Sequence, residues 1–241
     1  MDIGADVEAA KGFYGPLFGW EAKEAGPPEQ SGGYGFFMKS GKLVAGFGPK
    51  TNPGPPSWAL YFATDDAEAT VTKVKEAGGS VMVGPMDVMK AGRMAVLQDP
   101  SGAVFSIWQA GDHRGAQLAG EAGAVVWVEL NTADTAAATK FYREVFGWAA
   151  RANEEMAYTQ FEVDGEPVAG MMALPSDAPA GHPPYWLVYL GSSDVDATVE
   201  AGKGSGAEVL VGPLDIPGIG GRFAVLRDPQ GAVFGVFKGP S

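Results

Sequence analysis

Apolar positions recur along the chain in two rhythms, every second residue and every third or fourth, and their succession predicts its elements. In the second half, residues 125–131 alternate as a strand. Asp134 is placed as an N-cap, and the helix after it sets Ala138, Phe141, Tyr142, Val145 and Phe146 on one face before Gly147 stops it. Residues 156–163 and 167–174 alternate around Asp164-Gly165, a strong hairpin turn. Residues 185–190 read as a strand, 194–203 as a helix and 208–211 as a strand. The half closes on GRFAVLRDPQGAVFGVF (221–237), a strand, a tight Asp-Pro-x-Gly turn and a second strand. The first half follows the same plan. Its helices span 6–18 and 65–77, and it closes on GRMAVLQDPSGAVFSIW (92–108).

The shared plan reflects a repeat of about 128 residues. FYGPLFGW (13–20) matches FYREVFGW (141–148), and GKLVAG (41–46) matches GEPVAG (165–170). Pro55-Pro-Ser-Trp58 matches Pro183-Pro-Tyr-Trp186, and VGPMD (83–87) matches VGPLD (211–215). Two homologous domains are expected at 1–110 and 124–241, joined by a small, polar linker at 111–123. Four residues, Met1–Gly4, precede the first helix, where an opening strand needs about five; a truncated first strand is the reading.

Composition narrows the function classes. The net charge of −12 repels nucleic acid and anionic lipid, which need a basic footprint. No apolar run approaches the ~18 residues of a membrane helix. The opening residues have neither a basic nor an apolar leader segment, so a cytoplasmic protein is expected. With no cysteine, thiolate chemistry and disulfides are excluded.

The paired FYGPLFGW and FYREVFGW, the helix starts DDAEAT (65–70) and SDVDAT (193–198), and the closing DPSGAVFSIW and DPQGAVFGVF carry a resemblance. Together they resemble the vicinal oxygen chelate superfamily of glyoxalases, bleomycin-resistance proteins and extradiol dioxygenases, in the tandem form seen in actinobacterial glyoxalase-like proteins. The resemblance implies an α+β fold. Each domain would be two βαβββ units whose strands form an open half-barrel, with the helices on its convex face.

The family also implies a divalent metal held by His, Gln or Glu at fixed strand positions. Matched onto this chain, those positions fall on Trp127, Ala59, Leu187, Ser106 and Gly235, none of them a strong ligand. His113 lies in the linker and His182 in a loop. Glu129 shares a strand face with Trp127 by alternation, and Asp2 is its counterpart if one gap is allowed. The expectation is a site without metal or other cofactor.

Alternation anchored on those positions turns Ala59, Tyr61, Ser106 and Trp108 to the concave side of copy one, and Trp127, Glu129, Leu187, Tyr189, Gly235 and Phe237 to that of copy two. Trp58, Trp186, Phe105 and Phe234 fall on the helix-covered side and read as core. Such walls suit an apolar or aromatic ligand oriented by a few polar groups, or they simply fill the barrel. Small residues at Ala59, Ser106 and Gly235 favour open space. Arg93 and Arg222, equivalent in the two copies, are either anion clamps or surface partners of Asp87 and Asp215. The reading is a metal-independent small-molecule binding protein. Its rivals are a glyoxalase-like lyase, isomerase or oxygenase with an atypical site, and an exported interaction protein. The covalent tandem supplies the pairing that single-domain relatives obtain by dimerising, so a monomer is expected.

Overall fold

The computed structural model describes residues 1–50, 55–174 and 182–240; Gly181, part of the loop that holds His182, lies outside them. The first repeat runs β1 (Asp2–Ala5), α1 (Val7–Phe18), β2 (Glu21–Glu24), α2 (Pro28–Ser31), β3 (Gly35–Lys39), β4 (Lys42–Pro49), β5 (Ser57–Ala59), β6 (Tyr61–Ala63), α3 (Ala67–Glu76), β7 (Ser80–Val88), β8 (Gly92–Gln98) and β9 (Val104–Ala110). The second runs β10 (Val125–Thr132), α4 (Thr135–Phe146), β11 (Ala149–Asn153), β12 (Tyr158–Val163), β13 (Glu166–Ala173), β14 (Tyr185–Gly191), α5 (Val195–Gly204), β15 (Glu208–Ile216), β16 (Gly221–Arg227) and β17 (Val233–Lys238).

The four long helices begin where their caps stand. Asp6, Asp66, Asp134 and Asp194 each accept a bond from the backbone N–H three residues on. Gly19 and Gly147 end α1 and α4 in the left-handed conformation that glycine adopts without strain. Strands β2 and β11 carry no apolar alternation and lie wholly exposed at sheet edges, so periodicity gave no signal for them. Strand β15 runs on through Gly212-Pro213 with a register shift, well past the expected end at 211. No helix of the described residues is long and apolar enough to cross a membrane.

Packing divides the chain differently from the repeat. One compact unit comprises 1–59, 115–126 and 188–241; the other comprises 60–114 and 127–187. Each unit therefore takes elements from both copies, 1–110 and 124–241. Residues 111–123, expected as a linker, are shared between the units, with 115–123 in the first.

In the first unit the strands pair in the order β2-β3-β4-β1-β5, and β17 joins the end of β14 to β16 and β15. In the second they pair as β6-β9-β8-β7 and as β11-β12-β13-β10. Both cores are aromatic. Tyr14 centres the first, with Phe13, Phe18, Trp20, Trp58 and Phe234 around it. Tyr142 centres the second, with Phe105, Phe141, Phe146, Trp148, Phe161 and Trp186. The matching FY…FGW segments thus build matching cores, and Trp58, Trp186, Phe105 and Phe234 are buried.

The repeated Asp-Pro-x-Gly turn explains the interleaving. Asp99 is buried, and its Oδ1 accepts from the backbone N–H groups of Ser101, Gly102 and Ala103 at 2.9–3.0 Å. Its Oδ2 accepts from Tyr142 Oη at 3.1 Å, and Trp186 Nε1 donates to that same hydroxyl at 2.9 Å. In the first unit Asp228 holds its own turn, accepts from Tyr14 Oη at 2.9 Å, and Trp58 Nε1 donates to Tyr14 at 3.1 Å. A turn of one copy therefore holds a helix of the other. Burial first, and the neighbouring Asp second, push both Tyr hydroxyls well above the ordinary 10.0. A proton held more tightly in the folded state gives stability that is complete below pH 10 and is lost as pH rises further. Denaturant titrations at rising pH are expected to show stability falling above about pH 10, and Tyr14→Phe/Tyr142→Phe to flatten that fall.

Candidate functional site

The face of β10, β13 and β12 turned away from α4 gathers the polar residues of the second unit. Leu130, Ala169, Met171 and Phe161 are buried on the helix side. Alternation turns Trp127, Glu129 and Asn131 to the other side, together with Tyr158 and Gln160 of β12. Glu129 stands opposite Gly170, and Gly170 opposite Gln160. Because Gly170 has no side chain, the Tyr158 ring and the Trp127 indole lie directly over its backbone. A Cβ there would collide with Tyr158 Oη and come within 2.8 Å of Trp127 Nε1.

These groups form a chain. Trp127 Nε1 donates to Tyr158 Oη at 2.8 Å, and Tyr158 Oη donates to Glu129 Oε2 at 2.8 Å. Asn131 Nδ2 donates to Glu129 Oε1 at 3.4 Å. Glu129 is 8% exposed, while Trp127 and Tyr158 are half-buried. Burial, and then the Glu129 charge, hold the Tyr158 hydroxyl far above its ordinary value; Tyr185 is raised by the same two causes in the same order. Both phenols are therefore neutral donors at physiological pH.

The first unit repeats the arrangement with fewer polar groups. Asp2 stands opposite Gly46 in the register that Glu129 takes opposite Gly170. A Cβ at Gly46 would collide with both the Asp2 carboxylate and the Tyr34 hydroxyl. Phe36, against the edge of Tyr34 at 5.4 Å, replaces Gln160 in the row.

The remaining expected site residues fall into separate groups. Tyr61 and Ser106 are register partners in β6 and β9, and Tyr61 meets Trp108 edge-on at 6.4 Å. Trp108 Nε1 donates to the His113 carbonyl at 2.8 Å, and Met86, Met94 and Trp108 form one cross-strand row. In the first unit Tyr189 pairs with Gly235, and Phe237 with Phe223. The space expected at Gly235 is filled: the Tyr189 ring rests on its bare backbone, and Tyr189 is 7% exposed. Ser106 is likewise buried. Arg93 pairs with Asp87 at 2.7 Å and with Glu68 at 2.5 Å. Arg222 grips Asp196 through Nε and Nη2, and Asp215 through Nη1. Each guanidinium joins a helix start to a strand, the surface-pair arrangement, and its fork is occupied by carboxylates.

Tyr158, Tyr185 and Asn131 were missed in the sequence. A signal existed for the first: Tyr34 precedes Gly46 by the interval at which Tyr158 precedes Gly170.

The profile of the glyoxalase/bleomycin resistance protein/dioxygenase superfamily matches residues 3–107 and 124–236. The chain belongs to that superfamily, as a tandem α+β protein with two copies of its domain. Among curated proteins it is 41% identical, over 97% of its length and 90% of theirs, to CFP32 of Mycobacterium tuberculosis, whose name carries a provisional glyoxylase label. It is 40% identical, over 99% of its length and 91% of theirs, to the anthracycline biosynthesis protein DauV of Streptomyces sp. strain C5. Its fold is shared with the Mn(II)-bound glyoxalase of Novosphingobium aromaticivorans, with a TM-score of 0.65 at 17% identity, over 98% of this chain and 79% of that one.

The family's metal does not fit this donor set. Tyr158 Oη and Asn131 Nδ2 donate to Glu129, and neither is a side chain that commonly ligates a divalent metal. Among the described residues no three His, Asp or Glu side chains gather where they could hold an ion. Trp127, Ala59, Leu187, Ser106 and Gly235 stand at the positions where the resemblance puts ligands.

Proposed function

We propose that the protein binds an apolar or aromatic small molecule without a metal. The observation that carries this is the Glu129 face: two half-buried aromatic side chains laid against a bare glycine backbone, with a buried carboxylate beside them. Flat rings stack on such surfaces, and the few polar groups orient them. The Tyr61–Trp108 face with Met86 and Met94 offers a second surface, and thioethers adapt to varied aromatic shapes. The name of DauV, and that of DnrV from Streptomyces peucetius, also 40% identical, places those relatives in anthracycline biosynthesis. Anthracyclines are polycyclic aromatics, so the names favour a flat aromatic ligand here.

An aromatic ligand is expected to quench the fluorescence of Trp127 or Trp108. Its affinity should stay within about twofold after exhaustive EDTA treatment, because stacking on aromatic ring faces needs no ion. Loss of binding with EDTA and recovery with Mn²⁺ or Zn²⁺ would overturn metal independence. Catalysis is the second reading, favoured by the Tyr158–Glu129 hydrogen bond, which places a carboxylate base beside a neutral phenol. Turnover of a bound aromatic that Glu129→Gln removes without loss of binding would establish it. A monomer in light scattering is the matching expectation for assembly.

A further inference from the structure

We infer that Met86 on β7 is a site of reversible oxidation, and that its sulfoxide closes the Tyr61–Trp108 face to aromatic ligands. The inference rests on the proposal that this face is the second aromatic surface, and it names the chemistry that regulates it.

The chain has no cysteine and nine methionines, so thioethers are its only oxidisable sulfur. Four of the nine, Met82, Met86, Met89 and Met94, fall on β7, β8 and the turn between them, so an oxidant meets that sulfur concentrated in one place. Met82, Met86 and Met89 are exposed, Met86 at 46%. Of these three it is Met86 that stands in register with Met94, which in turn partners Trp108. Met86 therefore combines an accessible sulfur with a place in the row on which a ring would lie.

Hydrogen peroxide suffices as the oxidant. The Met86 sulfur attacks one peroxide oxygen, the O–O bond breaks as the S–O bond forms, and the other oxygen takes the proton and leaves as water. Sulfur gives up two electrons and the peroxide gains them. The product carries a polar S=O group where a thioether stood. A ring laid over that group strips its water and offers no hydrogen bond in return, so stacking there is weakened. The first unit supplies a contrast. The positions of Met86, Met94 and Trp108 correspond there to Leu214, Phe223 and Phe237, again one cross-strand row, and none of the three has sulfur. Oxidation thus acts on one copy of the row and spares the other.

In the test, the full chain is treated with hydrogen peroxide in steps, and each step is read by peptide mass spectrometry and by calorimetry with 2-naphthylmethanol. Met86 is expected to gain one oxygen well before the buried Met171. One equivalent of bound naphthalene should weaken on the order of tenfold, in step with oxidation of Met86 rather than of Met89. Methionine sulfoxide reductase with a dithiol reductant should restore it. This wild-type course needs no variant to fold. Met86→Leu/Met94→Leu keeps the row apolar but removes its sulfur, and its affinity, whatever the starting value, should be the same after the treatment as before. Met86 left unmodified when Met171 is oxidised overturns the modification site. Oxidation of Met86 with undiminished binding overturns the regulation and leaves the aromatic surface standing. A loss that persists in Met86→Leu/Met94→Leu overturns the assignment to Met86 and moves it to Met172, half-buried in the row of Tyr158 and Asn131. Absence of binding before any peroxide is added overturns the aromatic reading and the regulation with it.

Discussion

Asp99→Ala is expected to cost about 4 kcal/mol of folding stability, near the upper end for a single side chain. The substitution removes the acceptor of three backbone N–H groups at a part-buried turn and of the buried Tyr142 hydroxyl. Bonds to a charged acceptor are the strong ones, and donors left unpaired in a core lose their solvation without compensation. Asp99→Asn keeps an oxygen for the turn but turns an amide toward Tyr142, and about 2 kcal/mol is expected from it. Tyr142→Phe, which leaves both Asp99 and the Trp186 indole short of a partner, should cost about 1–2 kcal/mol. Equilibrium denaturation checks all three. A loss below about 1 kcal/mol for Asp99→Ala would show that the turn stands without its carboxylate. Asp228→Ala should cost somewhat less than Asp99→Ala, because two backbone N–H groups and the Tyr14 hydroxyl bond to the carboxylate there.

Gly170→Ala should abolish aromatic binding at the Glu129 face, a loss of about tenfold or more, while the protein stays folded. The added methyl occupies the place of the Tyr158 hydroxyl, and Trp127 stands too close behind to absorb the shift. Tyr158 must swing aside, and the chain from indole to phenol to carboxylate breaks. Gly4→Ala is the control, since nothing lies within 4 Å of a Cβ at that position. Titration of 2-naphthylmethanol against both variants, followed by tryptophan fluorescence, reads the outcome. Undiminished affinity in Gly170→Ala would move the binding surface away from this face.

Periodicity made α1, α3, α4 and α5 legible because each carries an apolar face and an Asp cap, signals that are local and redundant. Strands β3–β4 and β12–β13 were legible for a similar reason: alternation flanks a turn dipeptide. The edge strands β2 and β11 escaped because their residues are exposed on both faces and their existence depends on the neighbour they pair with. Alternation also put Trp127 and Glu129 together, since both lie in one strand. It could not supply Tyr158, which reaches them across β13 over a glycine: cross-strand neighbours depend on register, and register is not written in either strand alone. The Asp-Pro-x-Gly motif shows the other limit. It read as a turn, which it is, but its buried carboxylate is used on a tyrosine 43 residues away for Asp99 and 214 away for Asp228.

Those two distances have a consequence for how the chain can be divided. A cut between residues 110 and 124 would separate the copies cleanly in sequence, yet it would leave Tyr14 without Asp228 and Tyr142 without Asp99. Neither fragment would hold a complete core, because each compact unit is assembled from both. The fragments should therefore be poorly folded apart and recover structure only when mixed, as a complementing pair. The covalent join then serves to raise the effective concentration of two halves that need one another.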